Sequence, residues 1–119
     1  MTTDLDALEL ACTAARIADE QHGVDVLVLE VGDVLAITEY FVVVSASNRR
    51  LVRALVGEIE RQSREATGRS PRWVEGVHEH QWVLIDYGDV VVHVFLAEVR
   101  QFYEIERLYR DVPNVDWRA

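Results

Sequence analysis

The spacing of hydrophobic positions changes repeatedly along the chain, and each change predicts an element. Leu5, Leu8, Cys12 and Ala15 fall at helical spacing, which predicts a helix from about Asp4 to Gln21 with its end marked by Gly23. Val26-Leu-Val-Leu-Glu-Val31 reads as a strand and leads into a turn around Gly32-Asp33. Tyr40-Phe-Val-Val-Val44 is apolar without alternation, the pattern of a strand covered on both faces. Ser47 is a suitable N-cap for a second helix, whose apolar positions Leu51, Leu55 and Ile59 recur every four residues. Gly68 stops that helix and Pro71 forbids its resumption. A short strand, Arg72-Trp-Val-Glu75, then passes through a polar loop into W-V-L-I-D-Y-G-D-V-V-V-H-V-F, residues 82–95. Val99, Phe102, Tyr103, Ile105, Glu106 and Leu108 predict a last helix that ends before Pro113. The order α-β-β-α-β-β-β-α implies an α/β fold: a single domain with one mixed sheet of about five strands flanked by helices.

The 82–95 stretch carries the most specific information. Two β-branched and aromatic runs are joined by Gly88-Asp89, a Gly-first pair suited to a two-residue type II′ turn. That turn pairs Tyr87 with Val90, Asp86 with Val91, Leu84 with His93 and Trp82 with Phe95. Side chains alternate faces along a strand, so the pairing sorts them into two sets. Val83, Ile85, Tyr87, Val90, Val92 and Val94 form one face, which belongs to the core. Trp82, Leu84, Asp86, Val91, His93 and Phe95 form the other, where large aromatics interleave with a carboxylate and an imidazole. Buried acids and imidazoles are costly unless paired, so a mixed face of this kind is either covered by a helix or kept for a partner. On the partner reading Trp82 is the anchor, because tryptophan dominates interface energetics. Tyr87, beside the tip, offers a ring with a hydroxyl, and Asp86 and Asp89 could meet arginine or lysine of the partner.

Charge narrows the kind of partner. The chain has 119 residues and a formal net charge of −9; every basic residue is arginine, and lysine is absent. Bare nucleic acid calls for a basic surface, so no direct sequence-specific nucleic-acid binding is expected. A strongly acidic surface favours encounter with basic proteins, ribosomal proteins among them. No apolar run approaches the ~18 residues of a membrane span, and the start M-T-T-D-L-D is acidic where a signal peptide is basic, so a cytoplasmic protein is expected. The single cysteine, Cys12, permits no internal disulfide and fits a reducing compartment.

Thr38-Glu39-Tyr40-Phe41-Val42, Glu75-Gly76, the 82–95 hairpin and Phe102-Tyr103-Glu104-Ile105-Glu106-Arg107-Leu108 together resemble the ribosomal silencing factors, also called the Iojap or RsfS family. The likeness runs in order from Leu5 to Pro113, so residues 1–119 read as one domain of that type. The family usually has Ser-Gly where this chain has Ser45-Ala46, and commonly Trp where it has Tyr109. The resemblance implies a nucleotidyltransferase-like fold without the catalytic carboxylate pair, and a protein that is not an enzyme. It also implies binding to the large ribosomal subunit through ribosomal protein L-fourteen, a steric block to small-subunit docking, a role in large-subunit maturation, and a homodimer when free. No cofactor and no metal are implied.

Two rival readings come from other chemistry. Ser45-Ala46-Ser47, opening a helix with Arg49, Arg50 and Arg53 beside it, could seat a phosphate in a nucleotidyltransferase or nucleotide-binding protein. Such an enzyme needs paired carboxylates for Mg²⁺; the following strand supplies only Glu75, while Asp86 and Asp89 lie at a hairpin. Glu75, His78, Glu79 and His80, joined by His22 or His93, could chelate a metal, but lack the spacing of a dedicated zinc motif. No base or orienting acid is recognisable for a nucleophile at Cys12 or Ser45.

Overall fold

A computed structural model describes residues 4–119, with side chains from Asp6 onward. Leu5 of the predicted helical stripe and Asp4 of the acidic start therefore lie outside the described side chains. The chain runs α1 (Asp4–Glu20), β1 (Val24–Glu30), β2 (Tyr40–Ala46), α2 (Arg49–Thr67), β3 (Trp73–Glu75), β4 (Trp82–Asp86), β5 (Val90–Leu96), α3 (Ala97–Tyr103) and α4 (Ile105–Leu108). The sheet has the order β1-β2-β5-β4-β3. Only β2 and β5 are parallel; the other neighbours are antiparallel, so the sheet is mixed as expected.

Alternation along these strands builds two apolar layers. One is filled by α1 and α2 packed on Val28, Val42, Val44, Val83, Ile85, Val92 and Val94. α1 approaches through Ala7, Ala11, Ala14 and Ala18 with Leu10 between them, all buried. Small side chains let the helix lie close to the sheet, and this face is rotated from the predicted stripe, since Leu8 and Cys12 are only half-buried. The second layer holds Leu29, Val31, Phe41, Val43 and Phe95, covered by Ile105 with Val99 and Tyr109 at its margin. β2 lies between the layers and is buried throughout, which explains its unbroken apolar run.

Local chemistry sets the element ends. Asn48, not Ser47, caps α2: its Oδ1 accepts from the Leu51 N–H at 2.8 Å. The difference is one position, because the chain must leave β2 before it can turn. Gly68 closes α2 in the left-handed region at φ 76°, its N–H donating to the Arg64 carbonyl. The predicted last helix is broken in two at Glu104, which takes φ 48° and donates its N–H to Arg100. The break turns Ile105 into the second layer and leaves Phe102 and Leu108 in solvent. Beyond α4, residues 113–117 run along the free edge of β1: Val115 N–H donates to Val28, and Trp117 Nε1 donates to the Val26 carbonyl at 3.1 Å. An edge strand left bare would be a template for misassembly, and this strap covers it.

Candidate partner-binding face

The hairpin register is the one its turn predicts, from Trp82 opposite Phe95 to Asp86 opposite Val91, closed by Tyr87 N–H to the Val90 carbonyl at 2.8 Å. β3 adds Trp73 beside Asp86 and Glu75 beside Leu84. The rows Trp73–Asp86–Val91 and Glu75–Leu84–His93 therefore share one face. α3 and α4 cover that face over β1, β2 and the end of β5, and leave β3 and β4 open. There Arg72, Trp73, Glu75, Leu84, Asp86 and Val91 line a shallow hollow of about 390 Å³.

Trp82 stands at the boundary between the covered and open parts. Its ring stacks on Phe95 at 4.7 Å and meets Tyr103 of α3 at 5.1 Å, and Phe102 packs edge-on to Tyr103 at 5.0 Å. An aromatic row thus runs from the buried sheet to solvent, where Phe102 and Tyr103 are 80% and 54% exposed. Trp82 Nε1 donates to His93 Nδ1 at 3.2 Å, which orients the indole and leaves the proton of a neutral imidazole on Nε2. Nε2 is buried without a partner among the described residues. Burial pushes the His93 pKa down to about 4, so the ring is neutral near pH 7. Gly76 permits the loop that delivers Trp82: its φ is 89°, and a Cβ there would collide with the Trp82 carbonyl oxygen.

The predicted residues therefore divide. Leu84 and Val91 lie on the open face, half-exposed, and Trp82 borders it. Asp86 lies there too, but its Oδ1 accepts from the Gly88 N–H at 2.7 Å, with Arg72 Nε at 3.6 Å, so it braces the turn as well as facing outward. Phe95 and His93 are buried beneath α3, α4 and Trp82, and support the face from below. Tyr87 is also buried, on the opposite layer, where its hydroxyl meets Ser63 Oγ at 2.8 Å and burial pushes its pKa up. Asp89 is held by both guanidinium nitrogens of Arg69 at 2.8 and 3.0 Å, an ion pair that clamps the hairpin tip to the α2–β3 connection. Tyr87 is therefore buried away from the open face, and Asp89 is tied to Arg69 at the hairpin tip.

Trp73 is the residue the sequence reading passed over. It is 57% exposed, flanks the hollow and donates Nε1 to Glu75 at 2.6 Å. Extending the hairpin alternation onto Arg72–Glu75 would have placed it beside Asp86. Among the described residues no three His, Cys, Asp or Glu side chains come together around a metal position. Glu75 accepts from the Trp73 indole and Asp86 from the Gly88 N–H of the turn.

A single domain built on one mixed five-stranded sheet, with one closed face and one partly open aromatic face, is of the α/β class. Residues 4–119 match the family described as "Ribosomal silencing factor during starvation", and the chain belongs to that family. It is similar to the ribosomal silencing factor RsfS of Bacillus subtilis, 36% identical over 103 residues that cover 87% of this chain and 86% of the relative. The chloroplastic protein Iojap of Zea mays is 30% identical, covering 95% of this chain and 49% of the longer plant protein. A solved structure from Chromobacterium violaceum superimposes with a TM-score of 0.80 at 33% identity, covering 84% of this chain and 82% of the other.

Proposed function

We propose that this protein binds the large ribosomal subunit through ribosomal protein L-fourteen and sterically blocks joining of the small subunit, lowering translation without covalent chemistry. The observation that carries the reading is the open part of the sheet beside Trp82, where Trp73, Leu84 and Val91 form an apolar patch rimmed by Arg72, Glu75 and Asp86. An apolar centre with a charged rim is the anatomy of a protein interface. The net charge of −9 supports a basic partner, reached by electrostatic steering and held by apolar contacts. Membership of the silencing-factor family supports the ribosome as target, and so does similarity to the mouse protein named "Mitochondrial assembly of ribosomal large subunit protein 1", 30% identical over 92 residues. A homodimer when free, a cytoplasmic location and a part in large-subunit maturation belong to the same proposal. None of the described helices is long and apolar enough to cross a membrane.

Co-sedimentation with separated ribosomal subunits tests it: the protein should migrate with the large subunit alone and prevent reassociation. Trp73→Ala should weaken that binding by ~2 kcal/mol or more, the typical loss at a tryptophan hot spot, while the melting temperature changes little. Association with isolated L-fourteen should slow as salt rises, because the Debye length falls from ~10 Å at 0.1 M to ~3 Å at 1 M. Absence of large-subunit binding at every salt concentration overturns the proposal. A Trp73→Ala protein that binds as well as the parent moves the interface off this face.

A further inference from the structure

Beneath the open face lies a residue that stability alone does not explain, His93. It sits at the centre of the sheet, between Val43 of β2 and Leu84 of β4, and is only 4% exposed. Its ring meets Phe41 edge-on at 4.5 Å and runs nearly parallel to Phe95 at 6.2 Å. Surroundings of this kind suit a phenylalanine, which has no polar atom to bury. The imidazole strands one: Nε2 has no partner among the described residues, and an unmet buried donor costs stability. For packing alone, histidine is the worse residue at this position.

The other ring nitrogen shows what the imidazole contributes. Trp82 and His93 are diagonal neighbours across the hairpin, a separation that aromatic side chains can span. The indole reaches across it and donates Nε1 to His93 Nδ1 at 3.2 Å. Burial keeps the imidazole neutral near pH 7, so Nδ1 has a lone pair with which to accept. Phenylalanine could fill the same space but could not accept. Phe95 at 4.7 Å and Tyr103 at 5.1 Å hold the indole by its ring and limit its tilt. The hydrogen bond selects which edge of the ring turns inward, because it is directional and ring contacts are not. Trp73, the second indole of this face, likewise turns Nε1 to its own chain, at Glu75. Both indole N–H groups are thus engaged within the chain, and the rings present carbon to whatever lies against them.

We propose that His93 is a positioning residue for partner binding: its Nδ1 fixes the edge of Trp82 that turns inward, so that the ring meets the partner already oriented and as an apolar surface. This rests on the open face being the docking surface for the large subunit. A side chain ordered before encounter lowers the ordering cost of association. The partner group seated on Trp82 is then aliphatic or aromatic carbon, not a carbonyl or carboxylate acceptor. Two variants separate orientation from packing. His93→Asn carries Oδ1 on Cγ where the imidazole carries Nδ1, so it keeps the acceptor and gives up the ring; His93→Phe does the reverse. Affinity for purified large subunits and for isolated L-fourteen is measured beside the melting temperature and the NMR resonance of the Trp82 Nε1–H. His93→Phe should melt at or above the parent temperature yet bind about tenfold more weakly, its indole resonance moved toward that of a water-exposed tryptophan. His93→Asn should melt lower yet bind within about threefold of the parent, with the indole resonance retained. Full affinity in His93→Phe overturns the proposal, whether or not His93→Asn folds. Affinity that simply follows melting temperature across the three proteins also overturns it, because His93 would then act through the fold alone. A parent protein that binds no large subunit overturns the reading of the face itself, and this proposal with it.

Discussion

The two faces of the 82–95 hairpin come from the same strands and the same turn, yet they are built to different ends. Val83, Ile85, Val92 and Val94 are sealed under α1 and α2, and Tyr87, the polar group among them, has its hydroxyl satisfied by Ser63. The opposite face grades from buried Phe95 and His93, through half-buried Trp82 and Leu84, to exposed Trp73. A closed face contributes to stability; a graded one leaves apolar surface in contact with water. The difference teaches that coverage, more than composition, separates a core from an open apolar face here, since both faces carry large apolar side chains.

The largest effect should come from the closed face. Ile85→Ala leaves a cavity where no solvent can enter and should destabilise the fold by about 2–5 kcal/mol in urea melts. A loss below 1 kcal/mol would mean that α1 and α2 do not seal the sheet as described.

Next comes the pH response of the buried end of the graded face. His93 has its pKa depressed from 6.5 to about 4 by burial, so the unfolded chain binds the proton more readily than the folded one. Stability from this group is complete above pH 6.5 and is lost as pH falls toward 4, by roughly 3 kcal/mol over the whole window. Urea melts at successive pH values should show this slope, and His93→Phe should flatten it between those limits. An unchanged slope in the variant would place the pH response elsewhere.

A smaller loss is expected at the tip that joins the two faces. Asp89→Ala breaks the paired contact with Arg69 and should cost about 1 kcal/mol, because both groups are partly solvated. Double-mutant cycles with Arg69→Ala would isolate the coupling, which should shrink at high salt.

The smallest change in stability belongs to the open face. Leu84→Ala should shift unfolding by no more than roughly 1 kcal/mol, since its side chain already meets water. Its effect should appear instead in large-subunit co-sedimentation, mainly through faster dissociation. A strongly destabilised Leu84→Ala protein would erase the contrast between the faces.

Much of the fold was legible before any coordinates. Element order, the hairpin register, the doubly buried β2 and the Gly68 stop all followed from side-chain alternation and turn chemistry, which act between residues close in the chain or directly paired. The closed face of the hairpin was legible for the same reason, because period-2 alternation assigns every side chain once the turn is known. The candidate site was readable only in part. Trp82, Leu84 and Val91 were placed on the face away from α1 and α2, but how much of that face remains open was decided by where α3 breaks at Glu104 and how far Ile105 reaches across the sheet. That docking buries His93 and Phe95, exposes Phe102, and leaves Trp73 at the free end. The engagement of Tyr87 by Ser63 and of Asp89 by Arg69 likewise joins residues far apart in sequence. So does the meeting of Ser45, Arg100 and Glu106. Periodicity says which side of a strand a residue takes; only the packing of distant elements determines what, if anything, lies against it.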